Sequence, residues 1–176
     1  AYTIPYGIDF DIFHPQRDRT PPQPEKSTGN ELVIGALFNS MPRKRFFDLT
    51  AVVKTLIKRG LPVVPLFFGA ENPPDLPFEF SYLQQPSREA LAQMMSKCHI
   101  WLTMSDQEGL HIPPMEAMAC GVVPVATDIG GMRDYCLHNY TGVRVPVAAI
   151  QQTADAIQAL YEKPHKWQAL SEASLA

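Results

Sequence analysis

The chain has 176 residues, 45% of them hydrophobic and 19% charged, which is enough for one domain with its own core and excludes disorder as a description of the whole. A net charge of −3 leaves no basic surface of the kind that binds nucleic acid or anionic lipid. No apolar run approaches the ~20 residues that span a bilayer.

The opening AYTIPYGIDF lacks the basic start and apolar run of a signal peptide. Without an initial Met it reads as the middle of something longer. Residues 14 to 30, HPQRDRTPPQPEKSTGN, are rich in Pro, charge and small polar groups and are expected to form a linker. Residues 1–30 are therefore taken as an entry segment and linker, and 31–176 as the folded domain.

From there strands and helices alternate. ELVIGALF (31–38) is a short apolar run with polar flanks, a buried strand. RKRFFDLTAVVKTLIKRG carries Phe47, Val52 and Leu56 at helical spacing and ends on basic residues and Gly60. LPVVPLFFGA (61–70) is a second strand, ENPPDLP a loop and FEFSYLQ a shorter strand. Ser87 can cap a helix whose Leu91, Met94, Met95 and Cys98 share one face.

HIWLTMS (99–105) is a further buried strand. After a loop, PPMEAMACG reads as a helix with prolines in its first turn and Gly121 past its end. VVPVATD is a strand, GGMRDYCLHN a short helix led by glycines, and VRVPV a last strand. Ala154, Ile157, Leu160 and Tyr161 mark a helix that Lys163-Pro164 breaks before another begins.

Continuous apolar strands joined by helices imply an α/β fold, a doubly wound Rossmann-like parallel sheet covered on both faces. Ligands bind such sheets at the carboxyl ends of the strands, here loops 38–45, 69–77, 105–113 and 127–132.

Cys98, Cys120 and Cys136 form neither a C-x-x-C pair nor a zinc spacing. They read as reduced thiols packed in a core, which suits a cytoplasmic setting. His99, His138 and His165 show no ligand spacing and read as surface or strand-end residues. No metal site is expected.

The chemistry concentrates in SDQEGLHIPPMEAMACG (105–121). Glu108 falls on the loop, and Glu116 on the first turn of the following helix. A helix N-terminus attracts anions, and Gly109 lets backbone amides approach a ligand. Two glutamates beside an anion site could grip sugar hydroxyls. The bland alternatives are a helix-dipole role for Glu116 and a solvated loop position for Glu108. A glycosidase acid–base pair needs carboxyls ~5–10 Å apart across the scissile bond, which spacing on one loop and helix does not establish.

EGLHIPPMEAMACGVVPVATDIGG resembles the signature of retaining GT-B-type glycosyltransferases of the large family 4, close to E-G-F-G-L-P-x-x-E-A-M-A-x-G-x-P-V-V-A-S-x-x-G-G. IPYGIDFDIFHP is similar to that family's entry into its C-terminal domain, YTGVRVPV to its T-G-x-L-V-P strand, and PSREALAQMMSKCHIWLTMSDQEG to the helix and strand before the signature. The likeness covers nearly the whole chain, but only the C-terminal half of the family's architecture.

The resemblance implies a donor domain that binds a nucleotide diphosphate sugar, UDP- or GDP-linked. It implies that Glu108 approaches the transferred sugar and Glu116 the nucleotide ribose. The amides of Gly109, Leu110, His111 and Ile112 would contact sugar and phosphates. Lys44 would neutralise the diphosphate, and Tyr82, Leu83 and Gln84 would lie near the base. Gly130 and Gly131 would bring backbone close to the donor, although glycines also serve plain turns.

Two positions depart from the family pattern. Its Gly-Arg pair aligns with Phe38-Asn39, so Arg43 or Arg45 is expected to substitute for the arginine. Arg43, Lys44 and Arg45 otherwise read as a solvated basic helix start, which the dipole disfavours. The family's second loop glycine is His111, expected to point outward.

The expected reaction moves the sugar to an acceptor with retention, needs no cofactor, and takes place against an acceptor domain preceding this chain. The isolated chain is expected to be inactive. Any association with a membrane, peripheral in kind, would reside in that other half. A non-catalytic nucleotide-binding module is the alternative, and a nucleotide-sugar epimerase on the same architecture is a further one. A dinucleotide oxidoreductase is disfavoured, because no G-x-G-x-x-G opens a helix after the first strand.

Overall fold

The computed structural model describes residues 7–16, 19–26 and 29–175. Ile4, Pro5 and Tyr6 of the entry motif, and Arg17, Asp18, Ser27 and Thr28 of the Pro-rich segment, lie outside the described residues.

Six parallel strands form one sheet, in the order β3-β2-β1-β4-β5-β6. They are β1 (Leu32–Leu37), β2 (Val63–Gly69), β3 (Ser81–Gln84), β4 (Ile100–Thr103), β5 (Val123–Thr127) and β6 (Val143–Val145). The helices are α1 (Phe46–Lys58), α2 (Arg88–Met95), α3 (Ile112–Ala119), α4 (Met132–Tyr135), α5 (Ile150–Glu162) and α6 (Pro164–Ser174). The expected doubly wound α/β sheet is therefore the fold.

Strand alternation divides the core in two. Leu32, Ile34 and Ala36 of β1, with Ile100 and Leu102 of β4, point to one face and meet α1, α5 and the start of α6. Trp101 points to the other face and packs with Phe13, Leu91, Met95 and Ala117. Gly35 makes room there: a Cβ on it would lie 2.6 Å from Cys98 Sγ and 2.9 Å from the Trp101 ring. Every residue of β5 is buried, as a central parallel strand requires.

Local signals hold at several element ends. Ser87 Oγ accepts a hydrogen bond from the Ala90 amide and caps α2. Gly121 ends the α3 turn at φ +75°, a left-handed position that favours glycine. Lys163 separates α5 from α6, whose first residue is Pro164.

The first predicted helix start is displaced. Pro42–Lys44 form a single 3₁₀ turn, Arg45 is left-handed at φ 47°, and α1 begins at Phe46. The basic triplet is therefore a loop and not a helix start. That break sets the phase of α1: Phe46 is buried, and Phe47, expected on the apolar stripe, is exposed.

The described residues of the entry segment pack on this domain. Phe13 is fully buried. Arg19 donates to the carbonyls of Ser96, Cys98 and Gly121 and lies over the Trp167 ring. All three cysteines are buried. His99 is a buried strand-end residue, its Nδ1 accepting from the Val33 amide. Among the described residues, no helix is long and apolar enough to cross a membrane.

Candidate functional site

The sheet order reverses between β1 and β4, which pair in parallel. Their carboxyl ends therefore open the crevice where a doubly wound sheet takes its ligand. The loop after β1 supplies Arg43, Lys44 and Arg45, and the loop after β4 supplies Asp106 to His111.

Five contacts tie these loops together. The Asp106 amide donates to the Arg43 carbonyl at 2.9 Å. Arg45 lies 3.7 Å from the Asp106 carboxylate. Lys44 Nζ reaches Glu108 Oε1 at 2.6 Å, both side chains being largely buried. Arg43 Nη1 adds a longer contact of 3.3 Å to Glu108 Oε2 and also reaches the Gln107 carbonyl.

A glutamate withdrawn from water should resist ionisation, and burial alone would raise its pKa. The Lys44 hydrogen bond, the His111 charge and a hydrogen bond from Ser105 outweigh that, so Glu108 titrates below the usual glutamate range. It is an ionised carboxylate held by cations, not a solvated loop residue.

The loop after β5 supports this loop from below. A Cβ on Gly130, at φ +35°, would lie 2.6 Å from the Glu108 carbonyl, and one on Gly131 would lie 2.6 Å from the Gly109 carbonyl. Both positions require glycine because backbone meets backbone. Two further supports had no signal in the sequence: Thr127 Oγ1 donates to the Ser105 carbonyl, and Tyr135 Oη donates to the His111 carbonyl at 3.0 Å.

His111 was expected to point outward, and it does not. Its side chain is 4% exposed, with Nε2 3.8 Å from Glu108 Oε1. A left-handed backbone at φ 53° turns it inward at the N-cap of α3. Burial pushes its imidazole down to about 4, with Lys44 and Arg43 acting the same way and Glu108 opposing them.

Glu116 was expected on the first turn of its helix. Because α3 starts at Ile112, Glu116 falls on the second turn. It is half-buried, and burial raises its pKa against the opposing pull of Arg88. Pro113 and Pro114 occupy the first turn and have no N–H. They remove two of the four donors a helix start offers, which throws more of any anion's binding onto Lys44 and the loop amides.

The other candidates are spread more widely. Asn39 Oδ1 accepts from the Met41 amide and closes a local turn. Tyr82, Leu83 and Gln84 lie on edge strand β3. Tyr82 Oη donates to the Glu71 carbonyl, and Gln84 Nε2 donates to Asn72 Oδ1. Leu110 and Ile112 are half-buried beside Gly109, which is exposed. A separate cavity of about 470 Å³ lies between the β1 and β2 loops, lined by Phe38, Asn39, Arg45, Phe46, Pro74 and Leu76 among others. No residue of the Glu108 loop lines it. Among the described residues, no group of three His, Cys, Asp or Glu is placed to hold a metal ion.

Comparison with known proteins adds to this geometry. The family model of glycosyl transferases group 1 matches residues 76–175. A GDP-mannose:cellobiosyl-diphosphopolyprenol alpha-mannosyltransferase of Xanthomonas campestris is 33% identical over 75 residues, which cover 43% of this chain and 20% of that protein. The C-terminal domain of the glycosyl transferase group 1 family protein LpcC from Francisella tularensis superposes with a TM-score of 0.76 at 17% identity, covering 96% of this chain and 95% of that one. Anabaena Alr3699/HepE, solved in complex with UDP-glucose, gives a TM-score of 0.76 at 18% identity, over 96% of this chain and 50% of that one. The chain spans less than half the length of the curated relatives it matches.

Proposed function

The chain belongs to the glycosyl transferases group 1 family, and on that premise we propose that it binds a nucleotide diphosphate sugar at the carboxyl ends of β1 and β4. With an acceptor domain from the rest of a longer protein, it transfers that sugar with retention of configuration. One observation carries the reading: at the topological switch point, a buried carboxylate, Glu108, is held by a lysine from the neighbouring strand's loop.

That pair suits the chemistry of a departing diphosphate. In the transition state the sugar gains positive charge and the leaving group negative charge. Lys44 meets the leaving group, aided by Arg43 and by the amides of Gly109 to Ile112. Such preorganised charges act where charge develops and need no reorganisation during the reaction. Glu108 orients the sugar and balances its positive charge. Glu116 takes the ribose hydroxyls. One relative is a GDP-mannose-dependent mannosyltransferase by name and one structural neighbour was solved with UDP-glucose, which marks UDP- and GDP-linked sugars as the donors to try first.

The cationic side chains and amides do the work a metal would otherwise do, so we take donor binding to be metal-independent. The chain alone lacks an acceptor site under this reading and transfers little. A second reading, a nucleotide-binding module without catalysis, draws on Asn39: it closes its own turn where the family pattern has an arginine.

Calorimetric titration of the chain with UDP, GDP, ADP and their sugar conjugates tests the binding. Saturable binding of one nucleotide sugar is the expected result, and no binding of any would overturn it. Transfer or donor hydrolysis by the longer protein separates the enzyme from the binding module.

A further inference from the structure

The imidazole of His111 has no part in the reaction described above, although it stands beside Glu108. Its side chain is 4% exposed, and Nε2 stands 3.8 Å from Glu108 Oε1. The same oxygen is held by Lys44 at 2.6 Å. A separation of 3.8 Å is too long for a hydrogen bond, so the lysine has the carboxylate and the imidazole stands beside it. Nδ1 is buried with no hydrogen-bond partner among the described residues. A neutral ring has one N–H, and beside a carboxylate that hydrogen belongs on Nε2.

Lys44 cannot hold two anions equally well. A diphosphate entering the crevice competes with Glu108 for the ammonium and brings more charge. Once Lys44 turns to it, Glu108 is left largely buried with its nearest cation gone, an unfavourable arrangement unless another donor replaces it. The imidazole is already in position, and its backbone is fixed. Tyr135 Oη holds the His111 carbonyl, and a left-handed N-cap sets the direction of the ring.

We propose that His111 is a positioning residue for Glu108: when a donor diphosphate draws Lys44 away, Nε2–H of His111 moves onto the vacated Oε1 and holds the carboxylate for the sugar. The proposal rests on the donor reading given above.

The charges around the ring give this exchange a measurable signature. The groups acting on His111 are Glu108 on its own loop, Lys44 and Arg43 across the crevice, and Tyr135 of α4 at its carbonyl. Tyr135 is neutral, since burial raises its pKa further. In the unliganded protein, burial with Lys44 and Arg43 keeps the ring neutral down to about 4. A bound diphosphate neutralises both cations and leaves the attraction of Glu108, so the ring becomes more basic. The proton it takes up at Nδ1 comes from solvent.

The test is an NMR pH titration of the His111 ring in the chain, alone and saturated with UDP-glucose or GDP-mannose. These are diphosphate diesters whose own charges do not change near neutral pH. The ring pKa is expected to rise by about one pH unit or more on saturation, equivalent to a ~10-fold difference in donor affinity between the two ring forms. His111→Gly should bind the donor more weakly and with no such pH dependence. His111→Asn, which keeps an N–H but cannot titrate, should restore affinity without the pH dependence. An unchanged ring pKa at saturation overturns the exchange and leaves the donor site standing. Failure of both donors to bind overturns the donor site and the exchange together.

Discussion

Lys44 Nζ and Glu108 Oε1 lie 2.6 Å apart although the residues are 64 positions apart in sequence. The sheet order brings them together: β1 and β4 are neighbours, and each residue sits on the loop that leaves its strand. A carboxylate and an ammonium so placed satisfy each other until an entering anion and sugar separate them.

Glu108→Gln keeps the shape of that side chain and removes its charge. In the longer protein the variant is expected to lose turnover far more than donor affinity, because the sugar's positive charge develops only in the transition state. Comparing kcat with donor Kd checks this. Unchanged turnover would remove Glu108 from the chemistry.

Lys44→Met should destabilise the unliganded chain by about 1–3 kcal/mol, since it leaves a buried carboxylate with weaker partners. The sign with pH follows from linkage. The Glu108 pKa is depressed in the folded state, so its stabilisation is present above the ordinary glutamate value of about 4.3 and is lost as pH falls through the folded-state value. Urea unfolding should therefore show the two proteins converging as the pH falls through the depressed folded-state value of Glu108. A difference that persists at low pH would point to lost packing instead.

His111 has the opposite charge type but the same direction. Unfolded, it binds a proton near 6.5, while in the folded chain it stays neutral to about 4. The folded chain must therefore exclude a proton between those values, and stability falls as the pH drops through that window. His111→Gly should lose less stability than the parent between pH 7 and pH 5, as measured by urea midpoints.

Glu116→Ala is expected to weaken binding of the bare nucleotide, with calorimetry as the measurement. Equal affinity for UDP or GDP in the variant and the parent would remove Glu116 from the ribose.

Gly130→Ala places a Cβ 2.6 Å from the Glu108 carbonyl at a positive φ. Backbone there cannot move away cheaply, so the variant should lose about 1–3 kcal/mol. It should also shift the amide signals of 108–111. A silent substitution would mean the two loops are not packed as described.

Much of this is legible in the sequence. Unbroken apolar runs mark β1, β2, β4 and β5, and Ser87 announces α2, because burial on both faces and a free cap donor leave simple traces in sequence. The Glu108 loop stood out by its place between a strand and a helix, and Gly130 and Gly131 by the family resemblance, while the close packing of those glycines on the carbonyls of Glu108 and Gly109 left no trace in the sequence. The misreadings share a cause. The phase of α1 depends on a left-handed Arg45, and the direction of His111 on a left-handed N-cap. Neither residue type announces that backbone, so Phe46 and Phe47 were exchanged and the imidazole was turned the wrong way. The second-turn place of Glu116 follows from a helix beginning one residue before its prolines. The Thr127 and Tyr135 supports join residues far apart in sequence through backbone carbonyls, and composition carries no record of such bonds.

The central claim is that a nucleotide sugar docks where the loops after β1 and β4 meet. A backbone amide NMR titration of the chain with UDP-glucose and GDP-mannose tests it most directly. Saturable shifts at Lys44 and at Glu108 to Ile112, together with Gly130 and Gly131, are the result predicted. Shifts confined to the cavity lined by Phe38 and Leu76, with those loops unmoved, would contradict it.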